Sequence, residues 1–442
     1  MDALVLRLTG QSLAVIVHQV EAIRSNVASW LLTKVGLRRA RASLAALPGA
    51  PRDACILVLS PGGLERLAFE GLGDGVATVG YNVDEAIAPR LPRSRSLTAL
   101  RRRGDGAFDP PPGHVVVDVS HFSVNYADVT IRWGLYESAI EFVGYPICPG
   151  FDVAGVVAAV GAGVEDLAVG DRVLGITFFG GYSSRLLAPA RQLAKAPPRL
   201  RAEEAAALPA VAGTALHALS LAGFWPEAPL TQNRCALVHS AAGGVGSMLV
   251  QMCKSAGCRV VAVVGATHKV AACEALGADV VVDKAAHAGA DGWWAAVDAA
   301  APTGYACVFD ANGVSTLARS YRALCQTGRL IVFGFHSNLP STTVLNPLSW
   351  LRMALDLARM PKFEPMDLTL SSKAVAGFNL SFFSSEGPLV DAYLAQIIDW
   401  VDKGQLNVPK VTTFAYADLP KAHALIQSGR SVGKIVCATR AQ

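Results

Sequence analysis

The segment Cys235-Ala-Leu-Val-His-Ser-Ala-Ala-Gly-Gly-Val-Gly246 narrows the possible folds more than any other stretch of this chain. A short apolar run reads as a buried strand, the glycines call for a tight turn, and Val245 to Ala256 reads as a following helix. Three physical demands meet there. Gly243 would let backbone approach a pyrophosphate, Gly246 would let helix and strand pack closely, and the helix start offers free N–H groups to an anion. Ala241 stands where many such turns have their first glycine, so the pattern is A-x-G-G-x-G. A glycine run alone also occurs in ordinary turns. Its strand–turn–helix setting marks this one as a nucleotide site, with Ala241, Gly243, Gly244, Val245 and Gly246 as candidate contacts.

The alternation continues. Strands are predicted at 235–239, 259–264, 280–283, 305–310 and 329–334, with helices near 245–256, 269–276, 292–301 and 316–324. Short links between such elements imply a parallel, doubly wound sheet. Residues 338–373 interrupt the pattern with a helical stretch Trp350–Met360, and Ala374 to Phe382 reads as a closing strand. From Pro388 the chain predicts a long helix, a short helix after Pro420 and a final strand Lys434–Ala438. Upstream, Ala54 to Leu59 begins a hairpin that extends to Asn82, and Val83 to Gly113 is a Pro/Arg-rich loop. That loop is most simply solvated, with contact to anionic lipid as the alternative. His114–Val124, Val153–Val160, Arg172–Ile176 and Tyr182–Ala188 are short strands of a compact, mostly β domain.

Composition sets limits. With 442 residues the chain suggests two to three domains, and 52% hydrophobic against 17% charged residues excludes a disordered chain. Nine cysteines without a CxxC pair favour reduced thiols over a disulfide framework. Residues 1–52 hold seven Lys/Arg against Asp2 and Glu21, a local charge of +5, while the whole chain carries +4. A globally basic, nucleic-acid-seeking surface is therefore not expected. Residues 1–50 form an appendage in which Leu13, Ile16, Val20, Ile23, Val27 and Leu31 recur at helical spacing before Arg38-Arg39-Ala-Arg41. A docked amphipathic helix, an organelle presequence and a membrane-surface helix all fit that pattern. The uncharged span Ala205 to Pro226 contains Pro209, Gly213, His217 and Gly223, which favours a buried core helix over a membrane span.

Ordered motifs then carry a resemblance. They are Asn125-Tyr-Ala-Asp128, Gly134-Leu-Tyr136, Pro149-Gly-Phe-Asp-Val-Ala-Gly155, Val169-Gly-Asp-Arg-Val173 and Thr214-Ala-Leu-His-Ala-Leu219. The glycine turn, Leu276-Gly-Ala-Asp279 and Ser431-Val-Gly-Lys-Ile-Val436 complete the series. Over roughly residues 54–442 the chain resembles the zinc-independent quinone oxidoreductase group of the medium-chain dehydrogenase/reductases, near its vesicle amine-transport-protein-like members. The resemblance implies an α/β protein: a GroES-like, mostly β domain built from both chain ends, holding a Rossmann doubly wound parallel-sheet domain. The corresponding borders are 51–209 for the GroES-like catalytic domain with the 83–113 insertion, and 210–387 for the nucleotide domain with the added 338–373 segment. Residues 388–442 return to the catalytic domain.

Zinc-dependent relatives place a cysteine near the position of Asn125 and a His-Glu pair where this chain has Phe151-Asp152. One aspartate cannot hold Zn²⁺ alone, and a lone His121 is more simply a hydrogen-bonded residue. No metal is expected. An NAD site usually ends its second strand with an acid for the ribose 2′-OH. This chain reads Gly265-Ala-Thr-His-Lys269 there, so NADPH is the expected cofactor. The resemblance assigns Lys269 to the 2′-phosphate, with Thr267 and Lys284 as further contacts; Lys269 would otherwise be a solvated first-turn residue. It also implies that Thr214 lies near the nicotinamide amide, that Phe333 and Gly334 put backbone beside the ring, and that Asn312 belongs to a turn lining the cofactor. The basic group of Lys434 would reach the cofactor phosphate. Asn125 and Tyr136 are the candidate catalytic residues, with packing as the alternative role for Tyr136. Asp128 is read as a helix cap, and Trp133, Trp350 and Phe378 as candidate apolar walls.

The implied activity is hydride transfer from NADPH to a quinone or an α,β-unsaturated carbonyl without metal. Two alternatives remain open at this point: a membrane-associated vesicle or lipid-handling protein that keeps the fold, and an organellar enoyl reductase. The expected partners are a small-molecule substrate and a second copy of the chain, with no nucleic acid; peripheral membrane contact is the alternative. The expected location is cytoplasmic, with mitochondrion or plastid as the alternative.

Overall fold

A computed structural model describes residues 20–21, 23–24, 26–27, 54–72, 75–77, 97–101, 108–226, 234–339, 347–383 and 386–440. Most of the N-terminal appendage, including its basic cluster, and much of the 83–113 loop lie outside the described residues. Of the appendage, Val20, Glu21, Ile23, Arg24, Asn26 and Val27 are helical, and the Asn26 amide donates to Trp133 O at 3.3 Å.

Seventeen strands are found among the described residues. Strands β1 (Ala54–Val58) and β2 (Leu67–Gly71) form an antiparallel hairpin, as the sequence predicts. Strands β3 (Gly75–Ala77), β4 (Leu97–Arg101), β5 (His114–Val124), β6 (Asp152–Val160), β7 (Arg172–Ile176), β8 (Arg185–Pro189) and β9 (Leu193–Lys195) belong to a larger sheet in the order β4-β3-β8-β5-β6-β7-β9. Two features correct the sequence reading. The expected loop 83–113 contributes β4, antiparallel to β3, and the strand expected from Tyr182 begins only at Arg185.

The second sheet consists of β10 (Cys235–Val238), β11 (Arg259–Val264), β12 (Val280–Asp283), β13 (Tyr305–Asp310), β14 (Leu324–Val332) and β15 (Ala374–Gly377). Its order is β12-β11-β10-β13-β14-β15 and every pair is parallel. Helices cover both faces of such a sheet, so its strands read as continuous apolar runs. Val238, Val260, Val261, Phe309 and Leu330 are fully buried. Strand β14 starts at Leu324 rather than 329. Its register with β13 shifts between Tyr305 and Cys307, and Thr327 adopts a left-handed φ of 64°. A bulge of this kind breaks the local pattern that a sequence reading relies on.

The chain end then returns to the first sheet. Strand β16 (Val411–Ala415) pairs with β17 (Lys434–Ala438), and β17 runs antiparallel to the last residues of β5. The uncharged span before β10 forms two helices, Ala202–Ala207 and Pro209–Leu221, broken where Pro209 lacks an N–H donor. Among the described residues no helix is long and apolar enough to cross a membrane. The added segment forms the helices Pro347–Ala358 and Pro365–Ser371, in which no residue is buried.

Candidate active site

A cleft of about 870 Å³ lies along the carboxyl ends of β10, β11 and β14, and the first sheet closes its other wall. In open α/β sheets this crevice is where ligands bind. Its floor is the glycine turn. The helix begins at Gly244, so its first N–H groups have no partner within the helix. A Cβ on Gly246 would sit 2.4 Å from Ser240 O and 2.7 Å from Ala241 Cα, both backbone atoms, so only glycine allows this helix–strand approach. Gly243 is less constrained, since its Cβ would meet only Ser240 O at 3.2 Å. Gly243, Gly244, Val245 and Gly246 line the cleft. Ala241 does not; it is fully buried beneath the helix. The left-handed residue of the turn is Ser240, with φ 53°.

The far end of the cleft carries two ammonium groups. Lys269 donates to Gly429 O at 2.6 Å, and Lys284 lies 5.5 Å from the Trp293 ring centre. Burial lowers the pKa of both, and among the described residues neither has a carboxylate within ion-pair distance. A Cβ on the neighbouring Gly265 would meet nothing within 4 Å, so this end is open. The sequence reading of Thr267 needs correction. Its hydroxyl donates to Asp283 Oδ2 at 2.6 Å and the residue does not line the cleft. Asp283 also accepts from Ala285 N at 2.9 Å, so this acid is turned to its own loop.

A buried polar network sits behind the turn. The Ser240 hydroxyl donates to Asn312 Oδ1 at 2.9 Å, with His336 Nε2 3.3 Å away. His239 Nε2 lies 3.0 Å from Ser320 Oγ, and Ser320 donates to Asp310 Oδ2 at 2.8 Å. Burial depresses the pKa of His239 and of His336 to about 4, so both are neutral near pH 7. Asn312 is therefore one layer behind the wall that it was expected to form, because Asp310 Oδ1 accepts its N–H and turns Ala311 outward instead. Asn312 Nδ2 and His239 Nδ1 are buried without a partner.

At the opposite end, Asn125 precedes the helix Tyr126–Trp133, and Asp128 accepts its N–H at 2.7 Å, the capping role expected of Asp128. Asn125 Nδ2 donates to Asp152 Oδ2 at 2.8 Å, and the Lys434 ammonium donates to Asn125 Oδ1. Lys434 also reaches Val124 O and Asp152 Oδ2, each at 3.5 Å. Lys434 lines the cleft, but its ammonium faces Asn125 and Asp152, where the expectation was that it reaches a phosphate. The Tyr136 hydroxyl donates to Asn379 Oδ1 at 3.0 Å, with Ser381 Oγ 3.1 Å away, and burial pushes its pKa up to about 12.

Thr214 lines the cleft, although its hydroxyl donates to Ala210 O at 2.7 Å. Phe333 and Gly334 also line it, and Phe333 stacks on Phe378 at 6.1 Å. Of the aromatic walls expected, Phe378 faces the cleft, whereas Trp133 is fully buried and Trp350 packs beside it. Sequence reasoning missed Asn379 and Ser381. They follow β15, where the predicted closing strand to Phe382 instead stops at Gly377 and turns into the cleft. His121 is buried, with Nδ1 3.2 Å from Ser120 Oγ. Among the described residues no group of three or more His, Cys, Asp and Glu side chains could hold a metal ion.

The arrangement suits an elongated, phosphorylated dinucleotide. An open glycine cradle and helix start lie at its middle, cations at one end, and unpartnered buried polar atoms beside it.

Comparison with known proteins agrees. Residues 111–198 match the alcohol dehydrogenase GroES-like domain and residues 244–386 the zinc-binding dehydrogenase domain. The human synaptic vesicle membrane protein VAT-1 homolog is 30% identical over 329 residues, covering 74% of this chain and 79% of that protein. A probable quinone oxidoreductase of Schizosaccharomyces pombe is 28% identical over 329 residues, 74% of this chain and 89% of its own. Among solved structures, a mycobacterial protein complexed with NADPH superposes with a TM-score of 0.65 at 25% identity, over 87% of this chain and 99% of that one. Escherichia coli quinone oxidoreductase complexed with NADPH gives 0.65 at 21% identity with the same coverage. With its GroES-like and Rossmann-like sheets meeting at this cleft, the chain belongs to the medium-chain dehydrogenase/reductase family.

Proposed function

We propose that this chain is an NADPH-dependent oxidoreductase that delivers hydride to a quinone or an α,β-unsaturated carbonyl without a metal. The observation that carries this reading is the pair Lys269 and Lys284 at the far end of the cleft, while Asp283, the acid that ends the next strand, is spent on Thr267 and Ala285. Cations without a carboxylate attract a 2′-phosphate; an acid free to bind the ribose hydroxyl would repel it. NADPH in the mycobacterial and Escherichia coli relatives supports the same choice. The chemistry that cofactor supplies when bound is hydride donation.

The chain's own residues would bind and orient the reactants. The first N–H groups of the helix from Gly244 would hold the pyrophosphate, and Lys269 and Lys284 the 2′-phosphate. Thr214, Phe333 and Gly334 would flank the nicotinamide, and Phe151, Phe178 and Phe378 exclude water from an apolar acceptor. Tyr136 keeps its proton at neutral pH and would turn it from Asn379 Oδ1 to an acceptor oxygen as negative charge develops there. The metal-free part of the reading is supported by the wall at Asn125 and Asp152, where the Lys434 ammonium already sits beside the carboxylate.

The test is NADPH consumption by purified protein with a panel of quinones and enones, repeated with NADH and after dialysis against a chelator. The expected result is turnover that survives the chelator and prefers NADPH by at least about tenfold, or about 1.4 kcal/mol. No consumption and no NADPH binding would overturn the reading; activity lost to chelator and restored by zinc would overturn its metal-free part.

One observation favours a second reading, that the protein works at a membrane surface. Leu348, Leu351, Leu355 and Leu357 of the added helix are 48–76% exposed, and Arg352, Arg359 and Lys362 lie among and after them. Flotation with anionic liposomes tests it. Absence of flotation together with a dimer that protects these leucines would replace the membrane by a second copy.

A further inference from the structure

We propose that Lys434 is a positioning residue: with Asp152 it clamps the Asn125 amide one way round, so that this side chain can offer the cleft a hydrogen-bond donor. The kinetic arm of the argument rests on the reductase reading above; the geometry does not.

An ammonium can only donate and an ionised carboxylate can only accept. Lys434 Nζ faces Asn125 Oδ1, and Asp152 Oδ2 faces Asn125 Nδ2. Turning the amide over would set its NH₂ against the ammonium and its carbonyl against the carboxylate, replacing two attractions by two repulsions. The surroundings hold the clamp still. Asp152 and Lys434 are both buried, and Asp152 accepts further bonds from Ser123 Oγ and Ala210 N. The Lys434 stem runs close to the glycine turn, since a Cβ on Gly244 would lie 3.4 Å from its Cδ. Buried charges whose partners are complete hold one geometry at low dielectric.

What remains for the cleft is the second proton on Asn125 Nδ2. Its partner inside the chain is Ser123 Oγ at 3.4 Å, a long contact beside the 2.8 Å bond that the same nitrogen makes to Asp152, so a ligand oxygen can take it. Asn125 and Lys434 both line the cleft. Gly433 joins this site to the cofactor turn, since its N–H donates to Ala242 O at 2.8 Å. The same strand therefore ties the glycine turn and the Asn125 clamp together.

Lys434→Met alone leaves a buried carboxylate without its cation, and it would fold poorly if at all. The test therefore uses the neutral double variant Lys434→Met/Asp152→Asn, whose two facing amides can pair either way round. The Asn125 side-chain amide protons are identified in ¹⁵N spectra of the unliganded protein by their loss in Asn125→Ala. The wild type should show one slowly exchanging pair, and the double variant a broadened, faster-exchanging one. With NADPH and an acceptor, kcat should fall by about tenfold or more while KM for NADPH stays within about twofold, as expected for lost orientation. Unchanged amide signals would overturn the inference. So would a collapse of the NADPH-over-NADH preference at unchanged kcat, which would mean that Lys434 serves the phosphate. If the wild type reduces no acceptor, the reductase reading fails and the amide spectra alone decide this inference.

Discussion

At the Asn125 end of the cleft each charge has its opposite within the chain, whereas at the far end two ammonium groups have no carboxylate within ion-pair distance among the described residues. Lys434 is buried with Asp152, and both hydrogen-bond to Asn125. Lys269 and Lys284 rest on a carbonyl oxygen and an indole face, weaker partners that an arriving phosphate can displace. The contrast separates two uses of a buried cation. Paired inside, it fixes geometry and is indifferent to ligand; unpaired at a rim, it stores electrostatic energy that only an anion releases.

The sharpest way to break this picture is at the turn between the two ends. Gly246→Val drives a side chain into Ser240 O and Ala241 Cα, so NADPH binding should vanish by calorimetric titration. Gly243→Ala, facing only one atom at 3.2 Å, should keep most of its affinity. Next in size is Lys269→Glu. Losing one charge-assisted contact is worth about 1.5–3 kcal/mol and the added repulsion raises that, so the NADPH/NADH preference should fall on the order of 100-fold. Equal losses for both cofactors would show that the far end is not a phosphate site.

Tyr136→Phe probes the reaction end. It should lower kcat by about tenfold with little change in cofactor KM, the scale of one neutral hydrogen bond of about 1.4 kcal/mol. A pH series sharpens the comparison further. Burial lowers the pKa of Lys269 and Lys284, so each loses its proton at a lower pH than a solvated lysine. A phosphate needs the charged form; NADPH affinity should therefore decline as pH rises through these lowered values, while NADH affinity stays flat. The smallest effect belongs to Thr267→Ala. Its hydroxyl serves Asp283, so NADPH affinity should change by no more than about twofold, with a stability loss of about 1 kcal/mol.

The parallel sheet was legible because each of its strands is a short apolar run bounded by glycine, aspartate or a polar turn. Boundaries failed where a long-range contact overrode the local pattern. Strand β14 starts early because Leu324 pairs with Tyr305 across a bulge, and Phe378 to Phe382 leave the sheet because Asn379 and Ser381 meet Tyr136. The site divides in the same way. The glycine turn and the two far lysines could be picked out because a tight turn and a strand end are local features. Asn312 was misplaced by one residue, since Asp310 decides which neighbour faces outward.

Nearest-neighbour chemistry in the chain was enough to dictate a parallel α/β sheet, its phosphate-ready turn, and cations with no free acid at the end of the second strand. It could not dictate what Lys434 touches, because Asn125 lies 309 positions earlier and the two meet only when β17 pairs with β5. A lysine's sign is written in its formula. Whether that charge waits for a ligand or is neutralised inside depends on which distant groups the packed sheets bring within 4 Å of it.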